Sequence, residues 1–486
     1  MTMASLLGLL VFFFGVPAVV ALLFAFPQHR RVFLALMIFF TCYVKKPLYQ
    51  EVFFVNYRGV DRGFAVTVSD LLFFGFFIWM MLGGLRAKIQ WLPFNSIPWF
   101  LLTFISCLSL IGSIEPYYGL FTIHKFIRCF ILYVVVVNLI RNRQDIMVVL
   151  MALAAAIIFQ GFTVLWAKYV TQAVVARSIG TFRHPNTLAM YTDLILPMLL
   201  AVLMTRVLST RQAAIYAVAI LLGFIAVLFT KSRAAMLLLP ASLGIVVGIS
   251  ILMRPTSRKF GLMAVGFVAL GVIIAIALPR LIRRFESAPK ESAETREYFN
   301  EAAAAMARDN LFGIGINLYS HSLANTDYYW LVYPDKTDVP DPEAFRESVQ
   351  GQSRLGTAHH IYWLYAAETG YPGLLLFLLH TGLFSLYNLV CFVRERDHLF
   401  KSLFLAMLVG TSIHHLHGTL EWIFRQTEVQ YLYFVMMGMM VAMVAIRRRE
   451  IATERAKKRR RPVVTRVPVV SPPGPPHFQA RHEVLA

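Results

Sequence analysis

Charge is scarce in this sequence, and acidic charge scarcest of all. Only 15% of the 486 residues are Asp, Glu, Lys or Arg, against 58% hydrophobic residues, and the mean hydropathy is +0.64. A soluble domain usually carries about a quarter charged residues. The shortfall therefore excludes an ordinary soluble domain, and with it a disordered chain or a fibrous repeat. Cysteine is nearly missing. Cys42, Cys107, Cys129 and Cys391 lie in or beside apolar runs, and no CxxC pattern or disulfide framework is visible. No internal repeat and no glycine-rich nucleotide-binding loop is evident. The 46 basic residues outnumber the 26 acidic ones, for a net charge of +20. In a soluble protein that excess would suggest nucleic acid; beside long apolar runs it fits cytoplasmic loops against anionic membrane lipid.

Apolar runs of spanning length, about 20 residues each, fill most of the chain. They lie at roughly 4–26, 32–45, 64–84, 96–113, 119–140, 146–166, 185–205, 212–230, 234–253, 260–279, 360–393, 399–416 and 428–446. The expected fold is all-α and polytopic, with about 12–13 transmembrane helices. The first run is read as a membrane segment, and 50–56 as an interfacial or re-entrant piece. Basic pairs recur at alternate loops: Arg86/Lys88, Arg141/Arg143, Arg206/Arg211, Arg254/Arg258/Lys259, Arg394/Arg396 and Arg447–Arg449. That alternation predicts one cytoplasmic side. The N-terminus is then outside if both early segments span and inside if only one does. The remaining loops, including 280–359 and 417–427, face outward. The 280–359 insertion holds nine basic and twelve acidic residues, a balance of −3, whereas the tail 447–486 holds eleven and three, a balance of +8. Residues 1–446 read as one transmembrane domain containing the 280–359 periplasmic loop. Within that loop Glu294–Ala307 reads as a helix, Asn310–Tyr319 as a Gly-containing turn and Asp335–Glu343 as irregular. Residues 447–486 read as a basic, Pro-rich, disordered cytoplasmic tail.

Polar groups at membrane boundaries are costly and so are candidate sites. Gly180-Thr181-Phe182-Arg183-His184-Pro185-Asn186 enters the seventh apolar run. Pro185 suits a first helical position, and Arg183 beside a helix N-terminus favours an anion, against the plainer reading of a cap with a snorkelling Arg. Thr230-Lys231-Ser232-Arg233 puts two cations in a tight outer turn. Either they anchor the interface, or they clamp phosphate, Arg as a bidentate fork and Lys as a point charge. His359 and His360 close the long insertion. A boundary histidine either caps a helix or accepts a proton near neutral pH as a general base. Glu368, nine residues beyond His359, lies two and a half helical turns on and off its face. His414, His415, His417 and Glu421 form a last group, with His417 and Glu421 expected on one face at i,i+4. It reads as a polar network at the outer rim and lacks a metal signature.

Together these groups resemble the O-antigen ligase and O-antigen (exopolysaccharide) polymerase family of membrane glycosyltransferases. Arg233-Ala234-Ala235-Met236-Leu237 fits an Arg-x-x-x-Leu pattern. His359, with Gly370 following at the right interval, fits the histidine motif. Gly180–Ala189 fits the Gly-Thr block before a membrane helix. His360 departs from the Asn, Ser or Gln usual after that histidine. Tyr57-Arg58-Gly59 and Asp61-Arg62-Gly63 are similar to members encoded with exopolysaccharide systems. The resemblance implies a glycan donor on undecaprenyl diphosphate. It implies a glycan or lipid A–core acceptor, and an active site at the periplasmic face of the bacterial inner membrane. It also implies that no cofactor and no metal is used. It casts His359 as base, Arg183, Arg233 and Lys231 as diphosphate ligands, and His360, Glu368, His417 and Glu421 as supporting residues. Two other functions fit parts of the pattern. A multi-spanning transporter would need broken or charged helices near mid-membrane in two related halves. A scaffold of a polysaccharide assembly complex would tolerate loss of the arginines and histidine.

Overall fold

The computed structural model describes residues 3–45, 48–57, 59–85, 87–171, 177–268, 271, 275, 290–332, 341–348, 356–460 and 474. They divide into two compact units, Met1–Val444 and Ala445–Ala486. The chain is a multi-pass membrane protein of the all-α class. Nine helices among the described residues are long and apolar enough to cross a bilayer. In chain order the helices are α1 (Met3–Ala25), α2 (Arg30–Phe39), α3 (Val68–Met81), α4 (Ser96–Leu108), α5 (Pro116–Leu139), α6 (Arg143–Tyr169), α7 (Pro185–Leu203), α8 (Thr210–Thr230) and α9 (Arg233–Met253). Then follow α10 (Lys290–Asp309), α11 (Tyr319–Asn325), α12 (Tyr329–Val332), α13 (Pro342–Glu347), α14 (Ile361–Arg394), α15 (His398–His417) and α16 (Thr427–Arg460). Residues 257–268 are also helical.

Most expected segments became helices, with four corrections. The run at 64–84 starts as a strand: β1 (Tyr49–Val52) and β2 (Phe64–Thr67) pair antiparallel, Tyr49 opposite Thr67 and Val52 opposite Phe64. The piece at 50–56 is therefore in part a hairpin strand rather than a re-entrant segment. Phe64-Ala65-Val66-Thr67 favours a pleat through its aromatic and β-branched residues. Thr67 then ends it by forming a reciprocal capping box with Asp70 of α3. Second, α2, α3 and α4 are short, 10, 14 and 13 residues, so fewer helices reach full span than the apolar runs suggested. Third, residues 342 and 343 of the supposed irregular stretch begin α13; residues 335–340 lie outside the described set. So do most of 269–289 and of the tail beyond 460. Fourth, α15 stops at His417 with Gly418 as its C-cap, which matters for the site below.

Ion pairs and hydrogen bonds sort the connecting turns into two ends. At one end Arg30 and Arg31 reach Asp145 (3.3 and 2.8 Å), Arg143 reaches Asp397 (2.7 Å), Arg254 meets His398 (2.8 Å) and Arg258 bonds the Leu203 carbonyl (3.1 Å). At the other, Arg177 donates to the Thr230 carbonyl (2.8 Å) and the Ile361 amide to the Gly418 carbonyl (3.0 Å). Arg143, Arg254 and Arg258, from two of the basic groups read from charge, lie at the first end. Between the ends, packing and polar pairs hold the helices, because burying apolar surface from lipid gives little drive. Arg128, halfway along α5, bonds Asp70 of α3 at 2.8 Å, and Tyr431 of α16 also donates to Asp70. All three are buried.

The 34-residue helix α14 is broken at Gly370, whose φ of +69° only glycine adopts easily. Pro372 cannot donate to the Glu368 carbonyl. The turn before α11 supplies the missing donors: Ile314 N–H bonds the Ala367 carbonyl at 2.9 Å and Gly315 N–H the Glu368 carbonyl at 3.1 Å. A Cβ at Gly370 would lie 1.9 Å from the Leu311 carbonyl oxygen. The kink thus docks the insertion onto α14 about three helical turns beyond His359.

Candidate functional site

Glu421 is the centre of the polar cluster at the end opposite the basic pairs. It lies in the loop after α15, is buried, and three groups from three segments converge on it. His359 Nδ1 stands 3.3 Å from one carboxylate oxygen. Arg296, from α10 of the insertion, reaches the other at 3.2 Å. The Asn186 side-chain amide donates to that same oxygen. Burial alone would raise the Glu421 carboxyl, but the His359 hydrogen bond and the charges of His359, Arg296 and His184 outweigh it and hold it below the usual range. Glu421 is therefore an anion fixed against His359, whose side chain remains 25% exposed. A carboxylate on one ring nitrogen sets the tautomer, leaving Nε2 for proton transfer. His360 has a different job: it is the N-cap of α14, its Nδ1 accepting the Trp363 N–H at 3.4 Å. Burial pushes the His360 imidazole below its ordinary value.

Asn186 is aimed by the Gly-Thr block. Gly180 has φ +59°, and a Cβ there would lie 2.3 Å from the Gln160 side-chain oxygen. Glycine lets the chain press against α6, where Thr181 N–H bonds Gln160 (3.0 Å) and its hydroxyl bonds the Cys42 carbonyl (2.6 Å). His184 caps α7, Pro185 takes the first helical position as expected, and Asn186 follows. Arg177 then joins two turns. Its guanidinium bonds the Asn186 side-chain oxygen at 2.6 Å and the Thr230 carbonyl at 2.8 Å. Thr230 ends α8, Lys231 is forced into the left-handed region (φ +52°), and Arg233 opens α9. Lys231 is exposed and Arg233 half-buried. Neither has a side-chain hydrogen bond or ion pair among the described residues, which leaves both cations available to a ligand. A chain of contacts thus runs from His359 through Glu421, Asn186 and Arg177 to the turn bearing Lys231 and Arg233.

Arg183 is differently engaged. It pairs with Glu51 of β1 at 2.8 Å and lies over the Tyr49 ring at 4.5 Å, with 45% of its side chain exposed. Glu368 is not brought to His359. It is buried, bonds Arg425, and accepts from the Tyr319 N–H at 3.3 Å. His417 does not share a face with Glu421, contrary to the i,i+4 expectation, because the helix ends between them. His417 instead faces Asp193 of α7 at 3.5 Å.

Sequence reasoning did not find Arg296, Arg177 or the function of Asn186. Arg296 is one charge among many in a Glu- and Ala-rich helix, and Asn186 stood in the quoted motif without a role. A second network joins Asp61 and Glu368, both named from the sequence, to Lys125 and Arg425. Asp61 takes Lys125 (2.6 Å) and the Thr122 hydroxyl (2.5 Å), Lys125 also donates to the Arg425 carbonyl (2.6 Å), and Arg425 bonds Glu368. Burial alone would raise the Asp61 carboxyl, but Lys125 and Arg425 hold it below the ordinary range.

A multi-pass helical bundle with a polar cluster at one end, reached by Arg296 of the inserted segment, defines an integral-membrane protein of the all-α class. The comparison with known families is specific: residues 217–378 match the O-antigen ligase family model. The matched stretch is similar to that family and contains Lys231, Arg233, Arg296, His359, His360 and Glu368. No curated protein matches the chain.

Proposed function

We propose that the protein transfers a glycan from a lipid diphosphate carrier, of the undecaprenyl diphosphate type, to an acceptor hydroxyl at the periplasmic face. It would serve there as a polysaccharide polymerase or O-antigen ligase. The observation that carries this reading is the His359–Glu421 pair, joined through Asn186 and Arg177 to the turn that bears Lys231 and Arg233, two cations without a side-chain partner among the described residues. In the reaction the bond from the anomeric carbon to the diphosphate oxygen breaks and a bond from that carbon to the acceptor oxygen forms. The acceptor proton goes to His359 Nε2, and Glu421 stabilises the resulting imidazolium. The lipid diphosphate leaves with increased negative charge, which Arg233 and Lys231 stabilise more in the transition state than in the ground state. This chemistry asks for neither a metal nor a nucleotide sugar. The periplasmic assignment rests on the basic pairs gathering at the opposite end.

Arg233→Ala is expected to lower transfer about a hundredfold, the equivalent of roughly 3 kcal/mol of transition-state stabilisation. Arg233→Lys should restore only part, because an ammonium cannot copy a fork donating two parallel hydrogen bonds. Arg183→Ala should cost less, since Glu51 already neutralises that guanidinium. Rates on purified, well-folded variants check the order, and full activity of Arg233→Ala would reject the clamp. Glu421→Gln should cut turnover about ten- to a hundredfold while leaving donor affinity nearly intact, because it removes the imidazolium's counter-charge. The check is kcat against KM for the lipid-linked donor.

The face is tested by labelling a cysteine placed at position 340 in intact cells. Reaction with an impermeant reagent before the inner membrane is opened is expected; reaction only afterwards would reverse the site's orientation. The glycan profile of a deletion strain separates the two activities. Accumulated single repeat units indicate a polymerase, and long unattached chains on the carrier indicate a ligase.

A further inference from the structure

The end of the bundle away from His359 holds a cavity of about 330 Å³ lined by Arg30, Arg31 and Arg141 together with Pro27, Trp79 and Leu85. Its volume is in the range of small-ligand sites. The described lining contains three guanidinium groups and no carboxylate. One acid, Asp145, stands behind it, fully buried. It accepts from Arg31 Nε at 2.8 Å, Arg30 NH2 at 3.3 Å and the Arg141 backbone N–H at 2.9 Å. Asp145 therefore orients two of the arginines without matching their charge. Among the described residues Arg30 makes no other side-chain bond, and Arg31 only a 3.5 Å contact to Asn142. Both keep unused donors, and their side chains are 20% and 38% exposed.

The surroundings indicate what kind of anion fits. Trp79 and Leu85 are buried and form an apolar wall. Next to the lining residues in sequence, Phe26, Met81 and Leu82 are exposed by 46%, 62% and 65%, as side chains facing lipid are. Polar donors beside an apolar wall and a lipid-facing rim match a molecule with a phosphate at one end and hydrocarbon at the other. A free phosphate ion would use only the arginines. Clusters of basic residues at a membrane surface attract anionic lipid even without a cavity; here Asp145 orients two guanidinium groups, and the Asn138 carbonyl, accepting from Arg141 Nε at 3.1 Å, orients the third.

We infer that this cavity binds the phosphate of an anionic phospholipid head group, held by the guanidinium groups of Arg30, Arg31 and Arg141. The site is separate from the glycan-transfer site and does not depend on that reading.

The test uses the full chain purified in non-ionic detergent. Short-chain phosphatidylglycerol and phosphatidylcholine are titrated at low salt with thermal stability as readout. At least a tenfold preference for phosphatidylglycerol is expected, falling below threefold in Arg31→Gln and in Arg141→Gln. Arg30 is left in place so that Asp145 keeps a partner. Arg211→Gln, which removes one basic charge that does not line the cavity, should preserve the preference. Inorganic phosphate forms a separate arm. Stabilisation by millimolar phosphate that the two arginine variants lose would assign the cavity to free phosphate rather than lipid and overturn the lipid assignment. No head-group preference, or one diminished equally by Arg211→Gln, would overturn the site itself. If Arg31→Gln fails to fold, Arg141→Gln decides alone.

Discussion

His359→Ala should lose a hundred- to ten-thousandfold in turnover and keep its affinity for the lipid-linked donor. The range is that of removing a positioned general base. Donor affinity should survive because the diphosphate is assigned to the arginines at the α8–α9 turn. His360→Asn should cost little. His360 caps α14 through its ring nitrogen, and Asn is among the best capping residues, so the family's usual neutral polar residue can do the same work. The plainer alternative for His359 is that it only joins the insertion to the bundle through Glu421. In that case His359→Ala would lower stability or donor affinity together with turnover. Purified variants, with donor binding and single-turnover rates measured separately, distinguish the two. An active His359→Ala protein beside an inactive His360→Asn protein would reverse the roles.

The second large effect is expected from Arg425→Met. Arg425 is fully buried against Glu368, and removing one partner of a buried pair leaves an uncompensated charge, at a cost of roughly 3–5 kcal/mol. Thermal unfolding in detergent should show the loss. Adding Glu368→Leu should recover much of it, since replacing a whole buried pair with apolar groups is often neutral. Turnover should fall too, because Arg425 anchors the loop that carries Glu421. The same network sets an acid limit. The Asp61 carboxyl is held below its ordinary range by Lys125 and Arg425. Its contribution to stability is present above the unfolded pKa, and is lost as the pH falls through the lower folded value. Unfolding measured from neutral to acidic pH should therefore steepen below the ordinary Asp range, and Asp61→Asn should flatten that dependence.

How far these features can be read without coordinates follows from their range along the chain. Apolar runs located α5 to α9 and α14 to α16 because a spanning helix needs only local composition. Pro185 announced the start of α7 for the same reason. The hairpin was hidden because Phe64-Ala65-Val66-Thr67 merges into the apolar run of α3, so hydropathy alone joins strand to helix. His359 and Glu421 were each singled out, yet their pairing spans 62 residues and depends on how α14 and α15 pack. The i,i+4 rule assigned Glu421 the wrong partner because it assumes a helix continues, and the break at Gly418 turns the next residues toward the insertion. Arg296 and Lys125 gave no signal at all. A charge in a polar helix, or a single Lys in an apolar one, acquires meaning only from what folds against it.

The central claim is that this cluster moves a glycan from a lipid diphosphate, and its most direct test is reconstitution. The purified full chain would be incubated with an undecaprenyl diphosphate-linked glycan and, in separate reactions, a lipid A–core acceptor or a second lipid-linked glycan. Elongated or ligated product and released undecaprenyl diphosphate should form in equal amounts with one of the acceptors, and His359→Ala should yield neither. Failure of the folded wild-type protein to form product with either acceptor, or equal product from His359→Ala, would contradict the account.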